Sequence, residues 1–154
     1  MAVYHQFLTI VRPAGTAFEP SAEGCFVTLD SPFVQLATAT TKPADVYGLL
    51  TDVAEEEGMN CTIATPGFSG TVGVRLAADA KDGDQLALAE GGAVVPAKDG
   101  NTVVAVALAD GVSGKLVEAR LVQPYAASGI AAQALSATVA VISKASTKNT
   151  TSTK

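Results

Sequence analysis

From residue 116 the chain reads LVEARLV, with Val117, Ala119 and Leu121 apolar and Glu118 and Arg120 between them. A period of two is the mark of a strand with one face buried and one wet, and it predicts a strand over residues 116–122. TVVAVALA, residues 102–109, is apolar throughout, so it is expected at the centre of the molecule or beneath a neighbouring subunit. Nearly every other candidate strand is four to eight residues long and bounded by Gly, Pro, Asn or Asp, the cadence of an all-β protein.

These strands fall into a repeated order. Residues 83–124 read GDQLALAEGGAVVPAKDGNTVVAVALADGVSGKLVEARLVQP: a Gly-Asp opening, a Gly-Gly turn, a Val-Val strand, a Lys-Asp-Gly-Asn turn, the apolar strand to Asp110, a loop to Gly114 and the alternating strand. Residues 24–66 keep that order in other letters: Gly24 before CFVTL, Phe33-Val34 after a turn, VYGLLTD ending in Asp52, then Gly58 and CTIATP. The expected fold is therefore all-β, a compact barrel or sandwich built from two similar strand units. Three regions are expected: an N-terminal arm and loop (1–19), the duplicated β domain (20–124) and an Ala/Ser/Thr-rich extension (125–154).

Between the copies, residues 67–76 predict a turn and then a strand linking the lobes, and residues 77–81 a single helical turn. Glu55, Glu56 and Glu57 before Gly58 predict an exposed loop or a helix end closed by glycine. At the termini, MAVYHQFLTIV is a strand-like run that must pair with something, either a partner or the edge of its own barrel. ATVAVIS, residues 137–143, predicts one more strand, with an Ala-rich helix from Gly129 as the alternative. Residues after Lys144 would stay disordered alone.

Composition changes the picture in one respect. Of 154 residues 48% are hydrophobic, enough for one well-buried domain, yet only 5% are aromatic. Small side chains imply thin, closely packed layers. The net charge of −5 argues against nucleic acid, because phosphate binding needs a clustered basic surface. Lys144, Lys148 and Lys154 form a weakly basic tail on an acidic body. No apolar run reaches membrane-spanning length and no leader opens the chain, so a soluble product made in a host cytoplasm is expected, without membrane contact.

Candidate chemistry is sparse. The one histidine, His5, lies in the N-terminal arm, and Cys25 and Cys61 read as buried thiols or, alternatively, a disulfide. Two cysteines and one histidine make no familiar zinc site. Asp79, Asp82 and Asp84 are spaced like a cation cluster but lack the ligand number and terminal Glu of a calcium loop; Asp82-Gly83 reads as the turn itself. GFSGTVG, residues 67–73, is similar to the glycine-rich closing motif of trimeric dUTP pyrophosphatases, but that family's other motifs are missing here. No catalytic residue, metal or cofactor is expected. A small trimeric nucleotide hydrolase is the distant alternative, and a receptor- or glycan-binding module of a phage fibre is the nearer one, although the chain has no Trp.

The ordered pattern itself, best in GTVGVRLAADAKDGDQLAL joined to NTVVAVALADGVSGKLVEARL, resembles the bacteriophage capsid decoration proteins, also called head-stabilising or cement proteins. The resemblance covers about residues 20–124. It implies a β-rich virion protein on the outer capsid surface, bound to the major capsid protein, commonly as a homotrimer, and tying capsid subunits together without an active site. Family members often carry Gly within the apolar strand, where this chain has Gly48 in the first copy and Ala105 in the second. The apolar residues of the two termini are the expected contacts: Val3, Tyr4, Phe7, Leu8 and Ile10 in the arm, and Val139, Val141 and Ile142 in the extension. A free arm can add as a strand to a neighbour's sheet, and arm exchange multiplies weak contacts.

Overall fold

In the computed structural model, residues 9–129 are described. They form ten strands in two five-stranded antiparallel sheets: β1 (Thr9–Pro13), β2 (Phe26–Asp30), β3 (Phe33–Leu36), β4 (Val46–Asp52) and β5 (Asn60–Ala64) in the first, and β6 (Val72–Arg75), β7 (Gln85–Leu88), β8 (Val94–Pro96), β9 (Thr102–Ala107) and β10 (Leu116–Ala126) in the second. The strand orders are β1-β5-β4-β2-β3 and β6-β10-β9-β7-β8, the same path walked twice.

The duplication holds residue by residue. Gly24 N–H donates to Leu50 O as Gly83 N–H does to Ala107 O, and Ala14 N–H to Met59 O as Leu76 N–H does to Lys115 O. Thr38 N–H is held by Thr41 Oγ1 as Lys98 N–H is held by Asn101 Oδ1. Pairings of Val27 with Gly48 and of Leu86 with Ala105 put those two residues at one position. The strand after the glycine-rich residues 67–71 is therefore no linker: β6 is the counterpart of β1, and each unit takes in the strand ahead of the segment in which the repeat is visible.

Each sheet curls until its first and third strands touch at one end, through parallel bridges Ala14–Val34 and Leu76–Val94. Val27, Val34, Leu50, Cys61 and Ile63 point into the first barrel, where Phe18 and Ala22 close it. Successive residues of a strand face opposite sides. Phe26, Leu49 and Ala64 therefore lie on its outside, and they are nonetheless buried, in one cluster with the interior of the second barrel.

Several expectations are met. β9 is the middle strand of its sheet, and β10 alternates exposed and buried from Leu116 to Leu121. Residues 55–57 are exposed and end in a turn at Gly58. The helical turn expected at residues 77–81 does not form: Ala80 makes a bridge with Gly111, and Ala77 N–H donates to Val94 O. The backbone groups a helical turn would use are taken by cross-chain partners. Among the described residues no helix is long and apolar enough to cross a membrane.

Candidate functional site

Of the expected contact residues, Ile10 is described. It pairs with Ile63 across β1 and β5 and packs, half-buried, against the interior of the first barrel. The arm is thus, from Thr9 on, the edge strand of its own barrel. Val3, Tyr4, Phe7, Leu8, Val139, Val141 and Ile142 lie outside the described residues, as do His5 and the strand expected at 137–143. Among the described residues, Thr9–Arg12 of β1 have strand pairing on the β5 side alone, and an edge strand of this kind can accept an added strand.

The polar side chains of the second unit serve its turns. Asp79 Oδ1 accepts from Ser113 N–H at 2.8 Å, Asp84 Oδ2 from Lys81 N–H at 2.8 Å, and Asp110 Oδ1 from Asp82 N–H at 2.9 Å while its Oδ2 meets Lys81 Nζ at 3.1 Å. The Asp82 N–H, followed by the Lys81 ammonium, holds the Asp110 carboxyl below the usual carboxylate range. Among the described residues, no three of His, Cys, Asp and Glu are grouped to hold a metal.

Cys25 and Cys61 are free thiols, both buried. Cys61 Sγ–H donates to Arg12 O at 3.2 Å, tying β5 to the edge strand. Burial pushes both thiols up from their ordinary value, with Arg75 opposing this at Cys25. A protonated, enclosed thiol is a poor nucleophile.

Two surfaces stand out instead. One is the joint between the units. Arg75 N–H donates to Gly24 O at 2.8 Å, Arg75 Nε to Glu23 O at 3.2 Å, and Thr102 Oγ1 to Thr41 O at 2.7 Å. At Gly92 a side chain would strike the Phe26 carbonyl, so the turn after β7 presses backbone to backbone on β2. The other is an open groove of about 570 Å³ in the first unit, lined by Thr28, Leu29, Thr40, Lys42, Asp45 and Tyr47 among others. Its wall includes part of the 3-10 turn Pro43–Asp45, in the polar stretch that the second copy lacks. Arg12 Nε donates to Tyr47 Oη at 3.0 Å beside it.

The joint was not read from the sequence, although aligning the copies on Gly24 and Gly83 carries its signal. Phe26, Leu49 and Ala64 form one cross-strand row, and the matching row is Gln85, Val106 and Arg120. An apolar outer row in one copy and a more polar one in the other marks which copy is covered within the chain.

The architecture defines a class: an all-β protein of two tandem, five-stranded antiparallel barrels joined through a shared core. No family model matches the chain, and no curated protein matches it in sequence. Among solved structures it is similar to the N base of the head fibre protein gp8.5 of bacteriophage phi29, with a TM-score of 0.55 and 18% identity, over 79% of this chain and 98% of that one. At that identity the likeness is one of fold.

Proposed function

We propose that this chain is a structural protein of a phage virion that binds the outer surface of the capsid and stabilises it by bridging capsid subunits. The observation that carries the reading is the fold likeness to a phage head fibre base over nearly the whole of that structure. The resemblance of the repeat to capsid decoration proteins, found independently in the sequence, supports the same surface.

The physical mechanism is a rigid body with gripping ends. Two barrels locked through a common core resist deformation. The edge strand β1 can pair with a strand of the major capsid protein, and the apolar residues before it, Val3, Tyr4, Phe7 and Leu8, can supply anchors. Val139, Val141 and Ile142 are a second such set. Ile10 faces its own barrel, so its part in the contact is through the backbone. The role needs no catalysis, cofactor or nucleic acid.

The test is to mix purified protein with undecorated capsids of the same phage, image them and heat them. Binding at regular positions with a gain in thermal resistance supports the reading, and no binding with no gain contradicts it. A second reading, a receptor- or glycan-binding module of a fibre, is favoured by the threonine-lined groove and by the neighbour being a fibre base. A glycan array with the intact chain separates the two.

A further inference from the structure

The contact between the two units is head-to-tail. The outer row of the first unit, Phe26, Leu49 and Ala64, joins a cluster with Leu88 of the second, whose Gly92 turn and Thr102 press on the same region of the first. A head-to-tail contact uses two different faces, so a chain with one such joint leaves one face of each kind unused at its ends.

Both unused faces can be located by the residue correspondence. On the first unit, Leu29 occupies the position of Leu88; Leu88 is 1% exposed, whereas Leu29 is 38% exposed. Phe33, four residues on, is 42% exposed, and Asp45 takes the place of Thr102, immediately before the residue that pairs across to β2 or β7. On the second unit the row Gln85, Val106 and Arg120 stands where Phe26, Leu49 and Ala64 are covered, with Val106 half-buried and Arg120 exposed. Neither Asp45 nor Arg120 has an ion-pair partner among the described residues.

We infer that copies of this chain associate head to tail, the Leu29 end of the first unit of one copy seated on the Gln85–Val106–Arg120 row of the next. Three observations favour a second copy as the occupant. The contact continues one that the chain already makes within itself. Terminal units of repeat proteins normally present a polar outer face, yet Leu29 and Phe33 are left as exposed apolar side chains at the first unit's end. Charge matches at one point as well: Asp45 stands at the first unit's end and Arg120 on the row itself. Repetition of the step closes a ring or continues as a filament, according to the rotation it contains. This inference stands on the duplication alone, and capsid binding could fail without touching it.

Sedimentation of the purified full chain over a range of concentrations provides the test. The wild-type mass is expected to rise above one chain as concentration rises. Leu29→Asp and Arg120→Glu, both at exposed positions, should each hold the protein at one chain mass with an unchanged melting temperature. Mixing those two variants should then restore a species of two chains, because each retains the face the other has lost; a symmetric interface could not be rescued in this way. Phe33→Asp and Gln85→Lys repeat the experiment if either first variant folds poorly. A wild type that stays at one chain mass at every soluble concentration, variants that associate like the wild type, or a mixture no heavier than its components would each overturn the inference.

Discussion

Gly48 and Ile63 face each other inside the first unit so closely that a methyl group on Gly48 would stand 2.5 Å from Ile63 Cγ2, and closer still to the Ala64 carbonyl. The second unit places Ala105 at the position of Gly48 and Ala119 at that of Ile63. One copy therefore pairs nothing with a large side chain, and the other pairs two small ones. The same space is filled by a different division of volume. Gly48→Ala should cost about 1–3 kcal/mol, the usual range for overfilling a packed site. Denaturant unfolding checks it, and much of the cost should persist in the background of Ile63→Ala, because the nearer obstacle, the Ala64 carbonyl, belongs to the backbone.

The unequal surroundings of Leu29 and Leu88 give a paired comparison. Leu88→Ala empties a position in the shared core and should destabilise by about 2–5 kcal/mol. Leu29→Ala, at the matching but uncovered position, should stay within about 0.5 kcal/mol for the dilute single chain. Equal costs would mean that the joint does not bury Leu88.

Reactivity of the thiols follows from their burial. Native protein at pH 8 should leave Cys25 and Cys61 unlabelled by a thiol reagent, and denatured protein should label both. Both folded-state values lie above the ordinary 9.0, so the protonated thiols favour the fold below that pH, and this contribution is lost as pH rises through the folded values. Replacing both by Ala should flatten the loss of stability seen above pH 9 in alkaline melting curves.

Asp110 should show the opposite sign. Its carboxyl is held below the ordinary 3.8, chiefly by the Asp82 N–H and then by Lys81, so its contribution is present above that value and disappears as pH falls through the lower folded one. Asp110→Asn should lower the melting temperature at pH 7, and the difference should vanish in strong acid. Added salt should weaken it in part, because the exposed Lys81 pair is screened while the backbone hydrogen bond remains.

Much of the fold was legible because strand alternation and turn residues are local signals. The run of β10 and the Lys98–Asn101 turn each announce themselves within a few residues. The joint was harder to see, since what buries Phe26 is the second barrel rather than anything near it in sequence. The kinship of β1 and β6 is hidden in the sequence for a related reason: each pairs with a strand about forty to fifty residues later, and TIVRP does not resemble VGVR. Residues 77–81 read as helical because Ala, Asp and Lys are tolerated there, but their backbone groups find partners across the unit first. For the candidate contacts, apolar character marked the two termini, while the uncovered Leu29 end emerges only when the copies are laid over each other.

The capsid-binding account is tested most directly by imaging undecorated capsids of the parent phage after incubation with the purified chain. It predicts added density of two barrels at regular positions on the outer surface, and capsids that release DNA at a higher temperature than untreated ones. Capsids that remain bare at saturating protein, with an unchanged release temperature, would contradict it.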